Sequence, residues 1–322
     1  MRHASRLVCG LLALAITGNP AAQSSYPDKP IRLIVGFPPG NSPDIVARLL
    51  GQKLAASLGK PVVVENIAGA AGSIAAERVA KAAPDGYTLA LAANAQLTVN
   101  PSLYALPYDP IKDFAPVSQV YVSSNILVVH DAVPVTTVTE LVALAKAHPG
   151  VLTFATGGSG SSPHMAAQLF RSMAGIDLRE IPYKGVSAAI PDLLGGRVTM
   201  MFGPLPVVLP LVREGRLRAL AVTSLRRSPA VPGLPTIDES GFPGYEVTLW
   251  GGLVAPAGTP APVIRMLHLH TVNALALADA RAKLADLGLE IIGNSPDELA
   301  AVIRSEIPKW AKLIKESGIK PD

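Results

Sequence analysis

The segment Ile34-Val35-Gly36-Phe37-Pro38-Pro39-Gly40-Asn41-Ser42-Pro43-Asp44 reads as the end of a strand, a glycine loop and the start of a helix. Further along, Phe154-Ala155-Thr156-Gly157-Gly158-Ser159-Gly160-Ser161-Ser162-Pro163-His164 repeats that order, again with Ser-Pro at the helix entrance. Serine followed by proline suits an N-cap, because the hydroxyl accepts from a free amide of the first turn while proline has no amide to satisfy. The glycines let backbone approach a ligand and aim N–H groups at it. Helix starts of this kind attract anions. In α/β sheets the cleft lies beyond the carboxyl ends of the strands, so one such loop in each of two lobes would present donors to one small anion. Helix termini contribute about 0.3 to 1 kcal/mol each, or about 2 when partly buried, whereas micromolar binding needs roughly 8 kcal/mol. The remainder is expected from hydrogen bonds to Asn41, Ser42, Thr156, Ser159 and Ser161 and from solvent exclusion as the lobes close.

Around the two loops, short apolar runs alternate with helical patterns, which predicts an α/β fold with largely parallel sheets flanked by helices. Strands are expected at 31–35, 62–65, 88–92, 126–130, 152–155, 199–202 and 219–222. Helices are expected at 44–57, 73–82, 139–148, 163–174 and 186–194. The proline-rich stretch 94–116 has no clear period and separates two sets of β/α units. After a second proline- and glycine-rich segment at 232–245 come a strand-like run, 246–255, and helices at 262–278 and 295–316. Ser295, Pro296 and Glu298 form a capping box at the last of these. Too little β/α material remains there for a third domain, so the tail is expected to pack back on the first. The resulting organisation is a discontinuous lobe 1 over 23–122 and 249–322, a lobe 2 over 123–248, and two crossings between them.

The chain has 322 residues, 49% hydrophobic and 16% charged, which excludes disorder and allows about two domains. Mean hydropathy is +0.36, yet the uninterrupted apolar stretch Leu7 to Ile16 is well short of the roughly 20 residues that span a bilayer. Preceded by Arg2 and Arg6 and followed by Gly18-Asn19-Pro20-Ala21-Ala22, it has the layout of a secretory signal peptide over residues 1–22. Its removal leaves 26 Lys and Arg against 24 Asp and Glu, a formal charge of +2. The basic cluster Arg213, Arg216, Arg218, Arg226 and Arg227 is interrupted by Glu214 and lacks aromatics, so nucleic acid is not an expected partner. Cys9 departs with the leader, and the mature chain is expected to be a disulfide-free periplasmic protein.

Catalytic readings fare poorly. Neither loop carries the Lys-Ser/Thr pair of a P-loop or the dinucleotide fingerprint. Gly157-Gly158-Ser159-Gly160-Ser161 falls one glycine short of a nucleophile elbow, leaving a serine hydrolase on Ser159 as an alternative with His268 or His270 as base. Those histidines stand two apart on a predicted helix and face apart, which also disfavours them as a metal pair. No cofactor and no metal are expected. His164 is placed either to orient the second loop or to donate to the ligand. Lys184 is either an added positive charge near the cleft or an exposed lysine, and Tyr245 and Trp250 are expected to pack at the second crossing.

The chain resembles the Bug-type solute receptors of tripartite tricarboxylate transporters. The resemblance rests on Pro30-Ile31-Arg32-Leu33-Ile34-Val35, Phe37-Pro38-Pro39-Gly40, Pro61-Val62-Val63-Val64-Glu65-Asn66 and Pro84-Asp85-Gly86-Tyr87-Thr88-Leu89. It continues through Pro182-Tyr183-Lys184-Gly185, Leu217-Arg218-Ala219-Leu220-Ala221-Val222-Thr223 and Ala255-Pro256-Ala257-Gly258-Thr259-Pro260. It implies a two-lobed, Venus-flytrap periplasmic binding protein without catalysis that captures a small carboxylate and delivers it to membrane permease subunits. A ligand sensor for a membrane signalling partner is the other alternative. The resemblance maps ligand contacts onto 37–44 and 156–164. The expected ligand-binding set is Phe37, Pro38, Pro39, Gly40, Asn41, Ser42, Asp44, Asn94, Thr156, Gly158, Ser159, Ser161, His164, Tyr183 and Gly203. Two departures stand out. Asn41 occupies a position where the family usually has a second glycine, and Gly203 follows Met201-Phe202 where relatives that take amino acids carry an acid. The second departure implies a mono- or dicarboxylate without an α-amino group.

Overall fold

The computed structural model describes residues 26–319; Cys9 and the expected leader lie outside them. β1 (Ile31–Val35) is buried along nearly its whole length, as a strand of a parallel sheet covered on both faces must be. It pairs in parallel with β2 (Val62–Asn66) on one side and β3 (Thr88–Ala93) on the other. The crossovers are α1 (Ser42–Leu58), closed by Gly59 in the left-handed conformation, and α2 (Ser73–Ala80).

β4 (Phe114–His130) is the strand that joins the molecule. Its first part pairs antiparallel with β9 (Thr248–Pro256), which also pairs with β3; its second part pairs antiparallel with β7 (Met200–Pro204) and β8 (Leu217–Val222). β5 (Thr153–Thr156) lies between β7 and β6 (Arg179–Pro182), parallel to both. The sheets are therefore parallel at their outer parts and antiparallel where the halves join, a correction to the largely parallel expectation. The sequence reading also missed the first half of β4, because Pro116 breaks its pattern. Pro116 sits at a register shift opposite β9, where a strand tolerates a residue without an amide.

Each half is layered helix, sheet, helix. In the first, α1, α7 (Ala261–Ala276) and α8 (Ala278–Asp286) cover one face around Leu33, Leu50 and Leu267. α2 and α9 (Pro296–Ser317) cover the other around Val79, Trp250 and Leu299. In the second, α3 (Val138–Ala147) and α4 (Ser162–Ala174) pack on Phe154 and Phe202, with Phe170 of α4 in the same core. α5 (Val186–Leu194) and α6 (Leu205–Arg213) pack on Ile126 and Met201, with Val208 of α6 in the same core. α6 was not anticipated, since Pro206 and Pro210 read as breakers; Pro206 falls in the first turn, where no amide is needed. The capping box at Ser295 forms as expected, with Glu298 N donating to Ser295 Oγ and Ser295 N to Glu298 Oε2 at 2.7 Å. α9 does more than cover the first half: Trp310, Ile314 and the following Ile319 enter the core of the second. Among the described residues, no helix is long and apolar enough to cross a membrane.

Candidate functional site

The two glycine loops meet. A small cavity of about 40 Å3 lies between the halves, walled by Phe37, Asn41, Ser42 and Pro43 from the first loop and by Gly157, Ser161, Ser162 and Pro163 from the second. Ala93, Asn94, Ala95, Val186 and Leu249 complete a largely apolar wall, with Gly185 and Pro204.

Four helices begin at this cavity. α1 starts after Asn41, α4 after Ser161, α5 after Gly185 and α6 after Pro204, and each of those residues lines it. Their amide ends give positive potential to a chamber whose lining, among the described residues, has no charged side chain. At about 0.3 to 1 kcal/mol per terminus, the four together supply about 1 to 4 kcal/mol, short of micromolar binding by themselves. Direct hydrogen bonds must supply the rest.

Ser42 is the group best placed to make one. Serine before proline was expected to be the N-cap at both helices; the structure moves each cap one residue earlier, to Asn41 and Ser161, and puts Ser42 and Ser162 inside the first turn. Ser161 caps in the ordinary way, its hydroxyl accepting from His164 N. Asn41 does not cap α1 with its side chain. Ser42 is 1% exposed, lines the cavity, and its Oγ has no hydrogen-bond partner. A buried hydroxyl left unpaired costs about 1 to 3 kcal/mol.

A wider chamber of about 560 Å3, within the range of about 300 to 1,000 Å3 typical of small-molecule sites, adjoins the first and shares Phe37, Gly157 and Gly185 with it. Pro38, Gly158, Ser159, Tyr183 and Lys184 line it, together with the turn 68–72. Lys184 is exposed and, among the described residues, is the only charged one lining either chamber. Tyr183 donates to Asp192 at 2.8 Å.

The remaining expected residues stand behind the walls. Asp44 is 3% exposed and accepts from Gly40 N, Asn66 Nδ2 and Arg48 Nε. Burial by itself would raise its carboxyl, but the hydrogen bonds from Arg48, Gly40 and Asn66 and the Arg48 charge outweigh burial and hold it below the usual carboxylate range. Because the folded value is depressed, this contribution to stability is complete above the unfolded carboxyl pKa of about 3.9 and is lost as pH falls through the lower folded value. Urea denaturation of wild type and Asp44→Asn is expected to show a stability gap at pH 5 that closes in stronger acid; a gap independent of pH would refute that role.

Thr156 donates to Glu180 Oε1 at 2.9 Å, and Gln168 donates to Glu180 Oε2 at 3.2 Å. His164 is 1% exposed, with Nδ1 accepting from Gly160 N and Nε2 lying 3.7 Å from Glu180. Thr156 and His164 therefore brace the second loop from behind. Pro39 and Gly40 line neither chamber; the Pro39 carbonyl accepts from Ser187 Oγ at 3.3 Å. Gly203 lies against α6, where a Cβ would overlap Val208. His268 and His270 lie on α7, against the Val117 carbonyl and the Ser57 hydroxyl. Ser57 is at the far end of α1, roughly 20 Å from the cavity at 1.5 Å rise per residue.

The sequence reading missed the turn 68–72. Ala70 and Ala71 adopt left-handed φ values of 46° and 47°, which cost non-glycine residues roughly 1 to 2 kcal/mol each. Neighbours hold them there: Gln96 donates to the Gly72 carbonyl at 2.9 Å, and Asn100 donates to Ser73 Oγ at 2.8 Å. Nothing in an alanine pair announces such geometry. Asn125 was missed as well. It is fully buried with Oδ1 accepting from Ser162, a cavity residue, and its Nδ2 has no partner.

A family model described as "Tripartite tricarboxylate transporter family receptor" matches residues 46–319. The chain belongs to this receptor family. It is 39% identical over 311 residues to Protein BugT of Bordetella pertussis, covering 96% of this chain and 95% of that protein. Among solved structures it is similar to R. palustris Rpa4515 with adipate, with a TM-score of 0.90 and 36% identity over 92% of this chain and all of the other. It is also similar to MatC (Rpa3494) from Rhodopseudomonas palustris with bound malate, with a TM-score of 0.86 and 33% identity over 90% of this chain and all of the other. The α/β architecture, with each half a sheet between helices, is thus the two-lobed fold of periplasmic binding proteins of this receptor family, as the resemblance implied.

Proposed function

We propose that this protein is a non-catalytic periplasmic receptor that takes up a small carboxylate between its halves and hands it to the permease of a tripartite tricarboxylate transporter. Residues 1–22 act as the export signal, and the lobes are 23–122 with 249–322, and 123–248. The observation that carries the reading is the Ser42 hydroxyl, buried and unpaired in a cavity where four helix N-termini gather. An acceptor-only, negatively charged group satisfies both features. The adipate and malate of the two similar structures belong to the same class.

The ligand is a mono- or dicarboxylate without an α-amino group. The support is the lining itself: among the described residues that wall the two chambers there is no Asp or Glu to pair with an ammonium. Calorimetric titration is expected to show glutarate and succinate binding at least tenfold more tightly than glutamate and aspartate. Equal or better binding of the amino acids would refute this specificity, and no heat from any carboxylate would refute the receptor reading.

A further inference from the structure

Asn41 spends its side chain across the gap between the halves. Its Nδ2 donates to Ser187 Oγ at 3.0 Å and to the Pro38 carbonyl at 2.9 Å, while its Oδ1 accepts from Val186 N at 3.1 Å. Ser187 in turn donates to the Pro39 carbonyl. Val186 is the first residue of α5, whose own N-cap is Gly185 and has no side chain to offer. The free amide that every helix leaves at its start is here satisfied by a residue more than a hundred positions away, on a loop of the other half. Gly185 makes the approach feasible. With φ at +107° it has no Cβ, and one placed there would lie 2.9 Å from Pro38 Cδ and 3.3 Å from Asn41 Nδ2.

We propose that Asn41 is a clasp that caps α5 in trans and thereby sets the fraction of molecules in which the halves are shut. The same turn of the side chain explains why α1 lacks a side-chain cap: the carboxamide faces Val186 instead of the first turn of its own helix. The clasp is a positioning device, not a ligand contact, because its donor and acceptor are both engaged by protein. The inference rests on the receptor reading for its purpose, though not for its existence.

Asn41→Gly tests it with little risk to folding, since glycine is nearly as good as asparagine at an N-cap and Asn41 makes no side-chain cap bond in α1. Spin labels at Gln52 on α1 and Ser172 on α4, in the chain freed of its export signal and so of Cys9, report the separation of the halves. Amide exchange of Val186 reports the clasp itself. Without added ligand, Asn41→Gly is expected to lower the ratio of shut to open molecules about ten- to a hundredfold, as loss of the two hydrogen bonds that cross the gap implies, and to speed Val186 exchange correspondingly. Asn41→Asp keeps the acceptor and should keep Val186 protected, and Ser187→Ala should give a smaller opening. Unchanged distances and unchanged Val186 exchange in Asn41→Gly would overturn the clasp. Glutarate separates the two ideas. If it closes wild type and Asn41→Gly at the same concentration, the clasp fails and the receptor stands. If Asn41→Gly opens but glutarate binds neither protein, the receptor reading fails and the clasp stands.

Discussion

Ser42→Ala is expected to weaken carboxylate binding about ten- to a hundredfold while leaving the ligand-free protein as stable as wild type or up to about 1 kcal/mol more stable. A hydrogen bond to a charged group is worth about 1.5 to 3 kcal/mol, and about 1.4 kcal/mol is a factor of ten in affinity. The stability half follows from the unpaired Oγ: removing a buried hydroxyl that bonds to nothing relieves a cost. Serine before proline reads in the sequence as a cap, and loss of a cap would cost about 0.5 to 2 kcal/mol. Ser161→Ala, at the true cap of α4, should show that loss. Chemical denaturation and calorimetry of the two variants separate the roles. A destabilised Ser42→Ala with unaltered affinity would show that the first loop is scaffold.

Gly203→Asp is expected to destabilise the protein by about 3 kcal/mol or more without creating affinity for amino acids. The alternation of β7 puts position 203 on the side of Met201, facing α6, and a Cβ there overlaps Val208, with Val208 Cβ itself only 3.2 Å away. Valine is stiff and cannot swing aside, so overpacking costs about 1 to 3 kcal/mol, and the buried carboxyl without partners adds more. Gly203→Asp with Val208→Ala should recover part of the stability and still bind no glutamate. A stable Gly203→Asp protein that binds glutamate would show that the strand can turn this position to the cavity. The expected specificity against ammonium therefore rests on the lining of the chambers and not on position 203.

Much of the architecture was legible. β1 and α5 lie where apolar runs and helical spacing put them, because buried parallel strands and amphipathic helices carry their own periodicity. The capping box at Ser295 is local chemistry and was visible for the same reason. Prolines account for two of the misses: Pro116 hid half of β4 and Pro210 hid α6, since a bulge or a tolerated break depends on neighbours that local sequence does not name.

In the site, residue type and loop order pointed to Phe37, Asn41, Ser42 and Ser161, and all four line the inner cavity. Side-chain direction divided the rest. Thr156 and His164 turn to Glu180, Asp44 turns to Arg48, and Asn41 turns across to α5. The amino-acid sequence by itself determined that two glycine loops would each end a strand and open a helix, because strand and helix periods and glycine's freedom act within a few residues. Only the tertiary structure decided which donors remain unpaired, since a hydroxyl's partners come from segments far away in the chain.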